Sequence, residues 1–215
     1  MRILFLTCVS WMTIAFLCQI LALDVLGQTS LADVSDHCGI DFVHSDGSSG
    51  KHYIVESVVC GLALLDFDND GWIDIYFLNG APLPGTSVAK PPTNVLYRNN
   101  GNFTFTDVTG AAGVGDEGYG LGVVAGDYDQ DGDWDLYISN FGQNVLYANN
   151  GDGTFRNATN EAFLTMPDKF GAGCSFLDID GDGDLDLYAA SYVQFTYEKH
   201  ITRMIGKHQF HPGPT

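Results

Sequence analysis

Three nine-residue acidic segments are where this chain could do chemistry. They read Asp66-Phe-Asp68-Asn-Asp70-Gly71-Trp72-Ile-Asp74, Asp127-Tyr-Asp129-Gln-Asp131-Gly132-Asp133-Trp-Asp135 and Asp178-Ile-Asp180-Gly-Asp182-Gly183-Asp184-Leu-Asp186. Each fits D-x-D-x-D-G-x-x-D, with carboxylates at loop positions 1, 3, 5 and 9 and glycine at position 6. Four carboxylates within nine residues repel one another unless a hard cation sits between them. Ca²⁺ suits that place, because it accepts six to eight oxygen ligands in a tolerant geometry. The glycine permits a sharp turn with positive φ, which would let the carbonyl at position 7 (Trp72, Asp133, Asp184) join the side chains as a ligand. About three Ca²⁺ ions are expected on this reading. A 12-residue EF-hand loop shares the opening but needs an acidic residue at position 12. Here that position holds Phe77, Ile138 and Ala189. Asp and Gly also decorate ordinary turns, but three copies in register argue for ligation.

The charge balance agrees with a localised role. The 215-residue chain has a formal net charge of −18, with 27 acidic and 9 basic residues. Fourteen of the acidic residues lie in the three loops, so the acidity is concentrated ligand chemistry rather than a general coat. Three bound Ca²⁺ would return six charges and still leave a surface hostile to nucleic acid or an anionic membrane. A hydrophobic content of 45% places the chain among globular proteins.

The elements that position the loops recur as well. An apolar run precedes each loop (Gly61–Leu65, Gly122–Ala125, Gly173–Leu177), and a strand-like run follows it (Ile73–Leu78, Leu136–Ser139, Leu185–Ala190). Each loop therefore sits at the tip of a β-hairpin. A second hairpin follows twice. Asn94-Val-Leu-Tyr97 and Asn144-Val-Leu-Tyr147 each run through Asn-Asn-Gly into another strand, and Asn-Gly between alternating apolar runs is a strong hairpin signal. The unit is four antiparallel strands repeating at about 50 residues, which is a propeller blade. Extra spacing between the first two loops falls in the Pro-rich stretch Ala81–Thr93, read as a loop insertion.

The fold expected is all-β, with blades at about 61–109, 119–159 and, in part, 170–215. Asp33–Ile40 aligns with Asp107–Val114 and more loosely with Asn157–Leu164, so the chain is expected to open on the tail of a blade's fourth strand. With about two complete blades and partial ones, residues 28–215 read as an incomplete propeller whose missing blades belong to a longer chain. Residues 1–27 read as a secretory signal, with Arg2 as the basic region, an apolar core to Leu23 and small residues at Val25 and Gly27. The rival reading is an uncleaved anchor; interruptions at Thr7, Ser10, Thr13 and Gln19 favour cleavage. The mature chain is then secreted, with no membrane insertion. It keeps Cys38, Cys60 and Cys174, an odd count that leaves open a disulfide with one free thiol, a bond to another chain, or three buried thiols. His208-x-x-His211 and the cluster of His37, His44 and His52 read as solvated loop histidines.

These residues resemble the FG-GAP (or VCBS-type) repeat family, the calcium-bearing blades of integrin α-subunit propellers. Phe170-Gly171 and Tyr119-Gly120 before the loops, and Gly80-Ala81-Pro82 after the first, carry the resemblance. Gly39-Ile-Asp-Phe-Val-His44 leading into Gly61–Gly71 is similar to the start of the cartilage acidic protein (ASPIC/UnbV) group. The resemblance implies a seven-bladed extracellular propeller, of which this chain is a fragment, with Ca²⁺ held at positions 1, 3, 5, 7 and 9. It also implies a non-catalytic scaffold for an extracellular protein or glycan ligand. The alternative is the propeller part of a larger secreted hydrolase or polysaccharide lyase. No nucleophile elbow, Walker or dinucleotide motif occurs in the chain, and saturated oxygen coordination leaves a Ca²⁺ loop no open position for a substrate.

Overall fold

The computed structural model describes residues 33–58, 61–164, 169–200, 203–205 and 208–210. The chain divides into two compact units, Met1–Val34 and Ser35–Thr215, and only the second is described below. The expected signal segment and Cys60 lie outside the described residues.

Ser35–Thr215 is built from antiparallel strands. Strands β1 (Leu62–Leu65), β2 (Asp74–Phe77), β3 (Val95–Asn99) and β4 (Phe105–Asp107) form a four-stranded sheet in that order, the first blade. Strands β5 (Tyr119–Gly126), β6 (Asp135–Gly142), β7 (Val145–Asn149) and β8 (Phe155–Asn157) repeat it as the second. Strands β9 (Lys169–Leu177) and β10 (Asp186–Ser191) make the first hairpin of a third. A separate short hairpin, β11 (Arg203–Ile205) with β12 (His208–Phe210), follows.

The packing explains why the second blade is the most buried. Along β6, Leu136 and Ile138 enter a core shared with Leu65, Tyr76, Leu78 and Leu96 of the first blade. Tyr137 enters the opposite core, with Leu146, Ala148 and the partly buried Cys174, Phe176 and Leu187. Successive side chains of a strand point to opposite faces. A blade flanked on both sides therefore buries every residue of β6 from Asp135 to Asn140. In the first blade, β1 alternates exposed and buried, and Leu62 and Leu64 face solvent. Part of its far face is covered by the segment before it: Phe42 stacks on Phe77 with centroids 4.8 Å apart, and the Tyr97 hydroxyl donates to Asp41 at 2.6 Å. Tyr188, the third-repeat counterpart of the buried Tyr76 and Tyr137, is 61% exposed; it stands on β10, the outermost strand of its sheet.

Side chains finish what the ladders leave open. The buried Asn94 and Asn144 carboxamides accept from the backbone N–H of Asn79 (2.7 Å) and Asn140 (2.8 Å), just beyond β2 and within β6. Thr109 and Thr159 hydroxyls accept from the N–H of Leu96 and Leu146, each at 2.9 Å. After β4 the chain makes one helical turn, α1 (Thr109–Ala112), closed by left-handed Gly113. The aligned segments turn in the same way: Gly39 has φ 78°, Gly113 76° and Phe163 54°. Each of the two glycines lies against the fourth strand of the following blade, Gly39 over Phe105 and Gly113 over Phe155.

Strands β5 and β6 run longer than the sequence suggests, because their ends meet the neighbouring blades. Phe141 and Gly142 of β6 pair with Phe170 and Lys169 of β9. At this crossing a side chain on Gly171 would place its Cβ 2.3 Å from Ser139 Oγ and 2.7 Å from the Asn140 carbonyl. Gly120, one blade earlier, donates its N–H to the Asn79 carbonyl at 3.0 Å. The aromatic-glycine pairs are thus the points where one blade's first strand lies against the preceding blade. The Pro-rich insertion 81–93 forms no strand; Leu83 is buried and the Thr86 hydroxyl donates to the carbonyls of Gly47 (2.8 Å) and Ser48 (2.9 Å). Leu83 belongs to a mainly aromatic cluster with Tyr53, Val55, Tyr119, Phe170 and Phe195, at the blade ends away from the acidic loops.

Candidate metal centres

All three acidic loops connect the first two strands of a blade, and they share most of their local hydrogen bonding. Position 1 accepts two backbone N–H groups. Asp66 takes Asp70 (3.0 Å) and Gly71 (2.9 Å), Asp127 takes Asp131 and Gly132 (both 3.0 Å), and Asp178 takes Gly181 (2.6 Å) and Gly183 (3.1 Å). Position 5 accepts the N–H of position 7 at 2.9 Å in every loop, Asp70 from Trp72, Asp131 from Asp133 and Asp182 from Asp184. Gly71, Gly132 and Gly183 have φ of 88°, 96° and 97°, the sharp turn required of position 6. Position 4 is left-handed too, in Asn69 (56°), Gln130 (59°) and Gly181 (79°). Asparagine and glycine tolerate that region, whereas β-branched residues do not.

Position 9 is the first residue of the strand after the loop. Asp74 and Asp135 are fully buried, and both oxygens of each are fixed by the main chain. Asp74 accepts from Phe67 (3.1 Å) and Asn99 (2.7 Å); Asp135 accepts from Tyr128 (3.0 Å) and Asn149 (2.8 Å). Asp186 accepts from Ile179 at 3.0 Å but stands exposed on the outer hairpin. Burial pushes the carboxyls of Asp74 and Asp135 up to about 6, with the charges at positions 3 and 5 adding to the rise and the backbone donors opposing it. Burial and the neighbouring Asp131 and Asp127 also raise Asp129.

Carboxylate oxygens converge in each loop to within 4.8 Å of one another: Asp66, Asp68 and Asp70 in the first, Asp127, Asp129 and Asp135 in the second, Asp178, Asp180 and Asp186 in the third. At that spacing two ionised groups repel by about 3 kcal/mol even at an effective dielectric constant of 20. The residues therefore fit a divalent oxygen-seeking cation, and Asp68 Oδ1, buried without a hydrogen-bond partner, is the orphaned atom such an ion would satisfy. Asp133 and Asp184 do not add their carboxylates to their own clusters. Asp133 Oδ1 accepts from Asn69 of the preceding loop at 2.6 Å, and Asp184 Oδ1 accepts from Gln130.

Two groups escape the sequence reading. Arg98 on β3 reaches the first loop, its Nε 2.7 Å from Asp68 Oδ2 and its Nη2 3.2 Å from Asp70 Oδ2. Asn149 closes β7 over the second loop with its N–H and donates its side-chain amide to the Phe67 carbonyl of the first loop at 2.8 Å. The available signal was the repeat itself: Asn99 and Asn149 fall at the same place in the two Asn-x-Leu-Tyr hairpins. Cys38 and Cys174 are free thiols. Cys38 is buried, and burial pushes the Cys174 thiol up to about 11. Among the described residues no helix is long and apolar enough to cross a membrane.

No curated protein matches the chain significantly. The FG-GAP-like repeat family, in contrast, matches residues 66–138 and again 127–189. The two matches start at position 1 of the first and second acidic loops, and each runs on through the following loop into the strand after it. Together they cover more than half of the chain and all three loops. With blades of four antiparallel strands and an acidic loop at each first hairpin, the chain belongs to the FG-GAP-like repeat family.

Proposed function

We propose that the protein is a secreted, calcium-stabilised propeller scaffold that presents its blades to an extracellular protein or glycan ligand. The observation that carries the calcium reading is the threefold recurrence of one arrangement: carboxylates within 4.8 Å of one another on a hairpin tip shaped by main-chain donors to positions 1, 5 and 9. Asp66, Asp68, Asp70 and Asp74, with the position-7 carbonyl of Trp72, would hold the first ion. Asp127, Asp129, Asp131 and Asp135 with the carbonyl of Asp133, and Asp178, Asp180, Asp182 and Asp186 with that of Asp184, would hold the other two. The ion supplies positive charge at a hairpin tip; the chain supplies a turn already folded to receive it. The finer likeness of residues 39–71 to the ASPIC/UnbV group supports an extracellular setting.

The test is Asp131→Ala, which removes the position-5 carboxylate of the second loop. The variant should melt well below the wild type in Ca²⁺ and close to it in chelator. Equal destabilisation in both conditions would refute an ion at that loop.

A further inference from the structure

The three loops are joined to one another, and the joining groups are side chains that no ligand role requires. The position-4 amide of one loop donates to the position-7 carboxylate of the next, Asn69 to Asp133 and Gln130 to Asp184. Gln130 donates also to the Gly183 carbonyl, at 3.2 Å. The string has a direction. Position 7 of the first loop is Trp72, which offers no carboxylate, and position 4 of the third is Gly181, which offers no amide. A second bridge runs between the first two loops. Asn149 donates its N–H to Asp135 of the second loop and its carboxamide to the Phe67 carbonyl of the first.

We infer that Asn69 and Gln130 are positioning residues that couple cation binding between successive loops. The inference rests on the calcium reading above. In that reading the carbonyl of position 7 is a ligand, so a hydrogen bond that anchors the position-7 side chain holds the ligand-bearing residue in place. Asn69 then prepares the second loop through Asp133, and Gln130 prepares the third through Asp184. A hydrogen bond to an ionised acceptor is stronger than a neutral one, and ordering one loop lowers the entropic cost of ordering the next. Filling of one loop therefore favours filling of its neighbour, and coupling free energy is reciprocal between the two.

Terbium(III) luminescence tests this loop by loop. Tb³⁺ replaces Ca²⁺ at oxygen sites and is sensitised by a nearby indole, and Trp134 lies within the second loop. In the full chain carrying Trp11→Phe and Trp72→Phe, Trp134 is the single tryptophan, and its sensitised emission reports the second loop. Into this background go Asn69→Gly, which keeps the left-handed backbone and removes the amide, and the exchange Asn69→Asp with Asp133→Asn, which reverses donor and acceptor. Asn69→Gly should weaken Tb³⁺ at the second loop about five- to tenfold, the loss of one charge-assisted hydrogen bond, and the exchange should restore it. An unchanged midpoint in Asn69→Gly overturns the coupling and leaves the calcium reading standing. A weakened midpoint that the exchange does not restore also overturns it, since the effect then belongs to the backbone. Absence of saturable emission in the parent refutes the ion site itself. Should Asn69→Gly lose its far-ultraviolet dichroism, Asp133→Ala serves in its place: the same weakening supports the coupling, and an unaltered midpoint overturns it.

Discussion

Asp135→Asn should flatten the fall of this protein's stability with rising pH. In the folded chain burial holds the Asp135 carboxyl near 6, against 3.8 for the same group in open solvent. A carboxyl whose folded value is raised keeps its proton in the native state after the unfolded chain has lost it. Stability from that group is therefore complete below about pH 4 and drains away as pH rises through about 6. Roughly two pH units at 1.36 kcal/mol each amount to a loss of about 3 kcal/mol across this window in metal-free buffer. In a domain of this size that corresponds to about 6–12 °C in Tm. Asparagine cannot ionise, so the variant should lack that slope. It can accept only one of the two N–H groups, of Tyr128 and Asn149, that now hold the carboxylate, which costs about 1–3 kcal/mol. The two melting profiles should therefore converge or cross: the variant falls below wild type at pH 4 and equals or exceeds it at pH 7. Saturating Ca²⁺ favours the ionised carboxylate, so wild type should regain its lead at neutral pH. Calorimetry of both proteins from pH 4 to 7, in metal-depleted and Ca²⁺-containing buffer, decides the matter. Parallel profiles in metal-free buffer would refute the assignment of the slope to Asp135.

Other perturbations follow from particular contacts. Phe103 (φ 63°) and Phe163 (φ 54°) are left-handed and 82% and 90% exposed, where the corresponding repeat positions carry Gly153 and Gly113; Phe103→Gly and Phe163→Gly should each stabilise by about 0.5–1 kcal/mol in thermal melts. Gly171→Ala forces a methyl group against Ser139 and Asn140 and should destabilise by about 2–4 kcal/mol in denaturant titration. Arg98→Ala removes a half-exposed ion pair, so its loss in metal-free buffer should stay within about 1 kcal/mol and vanish in Ca²⁺. Cys174, with its thiol held near 11 by burial, should react with iodoacetamide far more slowly than a free thiol at pH 8 and catch up in denaturant.

The blades were legible in the sequence because each hairpin announces itself twice, once by apolar runs and once by Asn, Asp and Gly at fixed offsets. The loops were legible for the same reason, and the turn at Gly71, Gly132 and Gly183 follows from their position alone. Contacts between repeats were not legible. Asn69, Gln130 and Asn149 act across blades, on partners 64, 54 and 82 residues away; the repeat sets Asn149 beside Asn99, but nothing in the local sequence shows which blade an amide reaches. The exposure of Tyr188 escaped for a related reason. Alternation along β10 tells which side chains share a face but not whether anything lies against that face. Arg98 was hidden because β3 of the first blade carries arginine where β7 of the second carries Ala148, so the repeat gave it no echo.

The aromatic cluster at the blade ends away from the acidic loops has a consequence for the order in which this protein folds. Within it, Tyr53 meets Tyr197 edge-on at 4.9 Å and His200 at 4.8 Å, and His200 Nε2 lies 3.2 Å from the Lys51 carbonyl, 149 residues away in sequence. Each blade, by contrast, closes through hairpins of neighbouring strands. Closing so long a loop brings an entropy cost that local hairpins do not bear. The blades should thus form first and the aromatic clasp last, and the clasp should open first under mild denaturant. In hydrogen exchange the amides of Glu56 and His200 would then lose protection while those of β6 and β7 still keep theirs.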